Sequence, residues 1–230
     1  MIRNTSSVGT YSPVTGTDIH GDKIKTAGLC FDLYDDDAGL YNTLDALDQY
    51  GYKATFFLGG EFIRRHGQSA KMIIDRGHET ASLFFSGIDL SDSRYRVSVD
   101  FIKQGLARNE DDFFKAAGRE LALIWHPPFY ASSGFIRSAA ASAGYITVDR
   151  SFDTMDWVSR DEEVRLGLTI LSPSELIDII ISKTQNSSII PVRLGIIPGS
   201  RKEYLYDRIN VLLDALAKEG ITVAPVTSLK

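Results

Sequence analysis

Seven short segments of this chain are apolar on both faces, and helical patterns separate them. They are KTAGLCFDL (25–33), KATFFL (53–58), TASLFF (80–85), LALIW (121–125), YITVD (145–149), SSIIPVRL (187–194) and ITVAPV (221–226). A strand buried on both faces must be covered on both, and strands that alternate with helices meet that demand as a parallel sheet with crossover helices. The helical stretches carry their own signals. Leu40, Leu44 and Leu47 share one face ahead of a stop at Gly51. Ser172 and Glu175 form a capping box with Pro173 at the first helical position, and Leu205, Ile209, Leu212 and Leu216 make a stripe that ends at Gly220. SAKMIIDRG and FIRSAAASAG read as further helices, and 92–117 as an irregular one. Pro191, inside the sixth strand, predicts a bulge or an edge position.

Such a sheet can be doubly wound or curled into a barrel. No glycine-rich loop follows the first strand, so dinucleotide binding loses its main support. A barrel gathers its chemistry at the C-terminal ends of its strands, and Asp32, Ser86, His126, Asp153 and Arg193 all fall there. At 230 residues one domain is expected, spanning 23–230 behind a polar arm or linker at 1–22. MIRNTSSVGTYSPVTGTD lacks the apolar core of a signal peptide and reads equally as a linker from a longer, exported chain. With 25 basic and 30 acidic residues, a nucleic-acid partner has no electrostatic support. No apolar run approaches the roughly 20 residues of a bilayer span, so membrane insertion is not expected. The single cysteine, Cys30, excludes an internal disulfide and a cysteine metal cluster, and its apolar context predicts a buried thiol.

In order along the chain stand FD at the first strand end, YGYKATFFLGG around the second, RGHE and DLS around the third, then HPPF, FDTMDW, SSIIPVRL and a closing VTSL. This series resembles the polysaccharide deacetylases of carbohydrate esterase family 4, from about residue 23 to 230. The resemblance implies a distorted, incomplete (β/α) barrel of about seven parallel strands. It also implies removal of acetyl groups from N-acetylated polysaccharide by a divalent metal held by one Asp and two His. Residue by residue, the family's base falls on Asp32 and its metal ligands on Leu33, Leu83 and Gly87. Its base-orienting Arg falls on His126 and its acid His on Arg193, while Asp153, Asp156 and Trp157 match the family's D-x-x-D-W. Leucine and glycine offer no donor atom, so no metal or other cofactor is expected. Leu83 and its neighbours are expected to fill the metal's cavity.

The exchange of residue types at 126 and 193 raises a rebuilt site, with Asp32 paired to His126 and Asp153 to Arg193. No Ser or Cys nucleophile stands in a recognisable turn. Asp35, Asp36 and Asp37 are expected to cap the following helix rather than to bind a cation. His78 reads as structural, His20 and His66 as solvated. Phe84, Phe85, Phe129, Tyr130 and Trp157 border the family's sugar groove. Tyr130 and Trp157 are the expected accessible rings, and with Asp156 they are the expected substrate-binding residues. Two functions follow: a non-catalytic scaffold that binds N-acetylated glycan or another protein or domain, or a C–N hydrolase with an altered, metal-independent site. The resemblance alone favours the cell envelope or the cell exterior.

Overall fold

The computed structural model describes residues 25–229; the arm expected at 1–22, with His20, lies outside the described residues. The elements run β1 (Lys25–Leu33), α1 (Leu40–Gln49), β2 (Thr55–Leu58), α2 (Gly60–Arg65), α3 (Gly67–Asp75), β3 (Glu79–Ser82), α4 (Val99–Ala117) and β4 (Ala122–Trp125). They continue with α5 (Gly134–Ala141), β5 (Ile146–Thr147), α6 (Arg160–Leu166), α7 (Pro173–Lys183), β6 (Ile189–Arg193), α8 (Ile209–Lys218) and β7 (Ile221–Val223). The strands form one parallel, curled sheet in the order β5-β4-β3-β2-β1-β6, with β7 pairing the start of β1. This is the distorted, incomplete (β/α) barrel of seven strands.

The edges β5 and β6 do not pair with each other among the described residues. The loop after β5 bridges them instead: Ser151 N donates to Ile189 O at 2.9 Å, and Ile189 N donates to Ser151 Oγ at 2.9 Å. Pro191 therefore lies on an edge strand, opposite Cys30 of β1, where its missing N–H costs little.

Alternation along β1 divides its side chains between two layers. Leu29, Phe31 and Leu33 pack outward with Phe56, Leu58, Val192 and the helices α1, α7 and α8, and the Phe31 and Phe56 rings stack at 4.9 Å. Cys30 and Tyr34 face inward with Phe57, Ala81, Leu83 and Ile124, and Asp32 shares their parity. The C-terminal turn plugs the barrel's lower end, where Val226 N donates to Thr55 Oγ1 at 2.8 Å.

The expected elements are present, with different bounds. β3 stops at Ser82 because Phe84 takes a left-handed backbone (φ 74) and drives its ring into a separate cluster with Trp125, Leu106 and Ile136. Gly105 of α4 makes room for it: a Cβ there would lie 2.2 Å from Phe84 Cζ. The irregular stretch 92–117 resolves into turns and the regular helix α4, which Ser98 caps by accepting from Phe101 N. Asn109 pins α4 to the strand ends, donating to Leu58 O and Ser82 Oγ at 2.9 Å each. The helix α6, which buries no residue, was not anticipated.

Candidate functional site

The upper ends of β1, β4 and β6 meet around a pocket of about 130 Å³. Asp32, Tyr34, Tyr130, Arg150, Asp156, Trp157 and Arg193 are among its lining residues. The β1 parity that directs Cys30 inward brings Asp32 to the rim and Tyr34 across the mouth.

Asp32 and His126, 94 residues apart in sequence, are brought together. His126 Nε2 lies 3.0 Å from Asp32 Oδ1, and its Nδ1 lies 3.0 Å from Pro127 O. Both neighbours are acceptors, so both contacts are hydrogen bonds only when the pair holds a proton between ring and carboxyl. His126 is fully buried, with the Phe57 ring at 4.4 Å edge-on and the Tyr130 ring stacked at 4.0 Å, 7° from parallel. The HPPF turn makes that stack: Phe129 and Tyr130 both take left-handed backbones (φ 59 and 57), which folds Tyr130 back over the imidazole. Two such residues in succession cost about 1–3 kcal/mol each. Phe129 N donates to Tyr34 Oη at 2.9 Å, and their rings stack at 5.4 Å. Burial pushes the Tyr130 and Tyr34 hydroxyls above their ordinary pKa, with the Asp32 carboxylate adding to the effect.

The expected Asp153–Arg193 pair does not form. Asp153 Oδ2 instead takes Arg150 Nη2 at 2.7 Å, while its Oδ1 accepts from Met155 N at 2.9 Å and Trp157 Nε1 at 3.0 Å. Arg150 is three residues before Asp153 and meets it locally, which the longer reach to β6 cannot match. Asp153 thus orients Arg150, whose guanidinium lies 4.8 Å above the Tyr130 ring, and Trp157. Arg193 crosses to Tyr34, its guanidinium 4.1 Å from the ring centre and its Nε buried without a hydrogen-bond partner among the described residues. Its backbone N donates to Asp156 Oδ2 at 2.7 Å, and Thr154 Oγ1 donates to Asp156 Oδ1 at 3.0 Å. Burial outweighs those bonds and lifts the Asp156 carboxyl from 3.8 to about 6.

Tyr130 and Trp157 are half-buried and line the pocket, whereas Phe84 is a core residue and Phe129, 51% exposed, is the most open ring of the five. The Asp triplet does not cap α1, whose N-cap is Gly39. Asp36 Oδ1 accepts from Ala38 N and Ile196 N, and Asp37 Oδ2 accepts from Ser69 Oγ and faces His66 Nδ1 at 3.2 Å. His66 is therefore engaged rather than solvated. His78 is buried and takes Ala54 N on Nδ1, and desolvation lowers it to about 4. Cys30 is buried. Sequence reasoning missed Tyr34 and Arg150. The spacing of Cys30, Asp32 and Tyr34, two residues each, carried the signal for the first.

Of the three apolar positions, only Leu83 joins the inward layer, beside Cys30, Tyr34 and Phe57. Leu33 faces the helices, so it does not fill the barrel interior. At Gly87 a Cβ would lie 3.2 Å from the Tyr34 ring, which occupies the space a side chain there would take. Among the described residues, no group of three or more His, Cys, Asp or Glu side chains is placed to hold a metal ion. No helix among them is long and apolar enough to cross a membrane.

With fold and pocket in view, comparison with known proteins defines the class. The polysaccharide deacetylase family model matches residues 20–148. The chain belongs to the polysaccharide deacetylase family. It is 28% identical over 135 residues to the peptidoglycan-N-acetylmuramic acid deacetylase PdaA of Bacillus subtilis, a match covering 59% of this chain and 50% of that protein. It is 24% identical over 207 residues to a peptidoglycan-N-acetylglucosamine deacetylase of Bacillus cereus, covering 89% and 88%. Among solved structures it resembles BA3943 of Bacillus anthracis, described as a carbohydrate esterase family 4 pseudoenzyme, with TM-score 0.73, 21% identity and coverage of 89% and 65%.

Proposed function

We propose that this deacetylase-family domain binds glycan without cleaving it, as a recognition scaffold. The observation that carries this reading is the donor set at the strand ends. Leu83 packs where the family places a histidine, Tyr34 fills the space beside Gly87, and Leu33 faces the helices. The carboxylate at Asp32 is engaged by His126. These residues do not fit a divalent ion, so no step is derived through one. What remains suits binding: half-buried Trp157 offers a flat face for a sugar ring, Tyr130 is held between His126 and Arg150 in the wall, and Tyr34, Arg193 and Asp32 offer polar atoms. The relatives named for deacetylating peptidoglycan sugars support N-acetylated glycan as the ligand class. The B. anthracis pseudoenzyme supports the view that this fold can persist without the activity.

The test is titration with chito-oligosaccharides and peptidoglycan fragments, with acetate release followed in the same samples and metal content measured after dialysis. Saturable binding without acetate, at well under one equivalent of any metal, is expected. Absence of saturation up to millimolar ligand would sink the glycan reading and leave a protein-interaction scaffold. The buried Asp32–His126 pair favours a second reading, a metal-independent hydrolase. Acetate release that disappears in Asp32→Ala would establish it.

A further inference from the structure

We propose that the pocket seats a carboxylate with Arg193 as its receptor, so that the ligand is an acidic saccharide or a small carboxylic acid. This rests on the glycan-binding reading only for the saccharide.

The protein itself shows what a structural arginine looks like here. Arg201 is 5% exposed, and its Nε, Nη1 and Nη2 donate to the carbonyls of Glu203, Val158 and Leu171 at 2.8, 2.6 and 2.7 Å. Arg150 is matched by Asp153. Arg193 has neither kind of partner among the described residues, although its Nε is buried. One face of its guanidinium is covered by Tyr34, and the residue lines the pocket, where a ligand can meet its remaining donors. A second unpartnered group stands in the same wall: the Tyr130 hydroxyl is buried without a hydrogen-bond partner among the described residues. The Tyr34 oxygen accepts from Phe129 N, so its own hydrogen is free to donate. Buried donors without acceptors are uncommon in native proteins and call for a partner, and Arg193 and Tyr130 stand in the wall of one pocket.

The charges agree. Asp32 is matched by His126, and both oxygens of Asp156 accept hydrogen bonds, from Thr154 and from the backbone of Arg193. Among the described basic side chains that line the pocket, Arg150 is paired with Asp153 and Arg193 with no carboxylate. One guanidinium fork beside neutral hydroxyl donors fits a planar monoanion, which it can hold through two parallel bonds, better than a multiply charged phosphate.

The probes are N-acetylmuramic acid and N-acetylglucosamine, which differ by one carboxylate-bearing ether, and sodium acetate. Affinities are measured by calorimetry on the full chain and on Arg193→Met, whose stem still covers Tyr34 and whose backbone bond to Asp156 is untouched. The wild-type comparison needs no variant. The acidic sugar should bind about tenfold tighter than the neutral one, acetate should compete, and the preference should vanish in Arg193→Met. Arg193→Lys, with its charge but not its fork, should retain part of the preference. Equal affinity for both sugars would overturn the carboxylate assignment and leave glycan binding standing. Arg193-dependent binding of acetate with neither sugar bound would support the assignment and reject the glycan, making the source a free carboxylic acid. Binding of no probe would overturn both.

Discussion

His126→Leu tests the centre of the site most sharply. The substitution keeps much of the ring's volume but removes the hydrogen-bond partner that the Asp32 carboxyl has among the described residues, and Asp32 is 5% exposed. Removing one member of a buried ion pair costs about 3–5 kcal/mol, because the remaining charge stays desolvated. Loss of the 4.0 Å stack on Tyr130 adds to the effect. For a domain of this size that cost lowers the melting temperature by about 6–20 °C. Asp32→Asn is the contrasting change. An amide can donate to a neutral Nε2 while Nδ1–H still donates to Pro127 O, so every ring contact survives and the loss should stay within about 1 kcal/mol. In the double variant the buried group left behind is an amide rather than a charge, which should recover about 2 kcal/mol of the His126→Leu loss. Urea denaturation of all four proteins at pH 7 measures the cycle. A His126→Leu loss under about 1 kcal/mol, or an Asp32→Asn loss equal to it, would refute the shared-proton pair.

Asp156 and His78 should pull the pH dependence of stability in opposite directions. The folded Asp156 carboxyl, lifted to about 6, binds protons more tightly than the unfolded one, so its contribution to stability falls as pH rises from about 4 to 6. Folded His78, lowered to about 4, loses its proton more readily, so its contribution falls as pH drops from 6.5 to 4. Denaturation at several pH values should show Asp156→Asn gaining on wild type by about 2–3 kcal/mol from pH 4 to 7, and His78→Asn gaining similarly from pH 7 to 4. Gly105→Ala should cost about 2 kcal/mol or more by thermal melting, because its Cβ would lie 2.2 Å from the Phe84 ring and 2.8 Å from Phe85. Of the two tryptophans, Trp125 is fully buried and Trp157 lines the pocket. A fluorescence change on ligand addition should therefore disappear in Trp157→Phe.

The sheet was legible because its strands are apolar on both faces, a pattern that has few other uses. Pro191 marked an edge for the same local reason. The end of β3 was not legible, since Phe84 leaves the strand to meet Gly105, a partner 21 residues away that no local pattern announces. The helix α6 could have been found: Ser159 and Glu162 form a capping box, but without an apolar stripe the signal is easily passed over. At the site, the Asp32–His126 contact followed from the family resemblance, which sets His126 at the position of the base-orienting Arg. The partner of Asp153 did not, because Arg150 and Arg193 are equivalent in charge and only distance separates them. Tyr34 stands one residue past the end of β1, next to Asp35, Asp36 and Asp37, and keeps the inward parity of Cys30 and Asp32 without belonging to a strand-like run.

Alternate residues of β1 answer to different masters. Those facing the helices hold the barrel shut, and of those facing inward Asp32, with Tyr34 just past the strand, lines the pocket. Such a division makes the two properties separately mutable. Changes at Asp32 or Tyr34 can alter the pocket wall while Leu29, Phe31 and Leu33 go on supplying the same buried area. A lineage can therefore cross from one pocket chemistry to another with the outer layer unchanged, and an engineer can draw libraries at Asp32 and Tyr34 once the scaffold has stability in reserve.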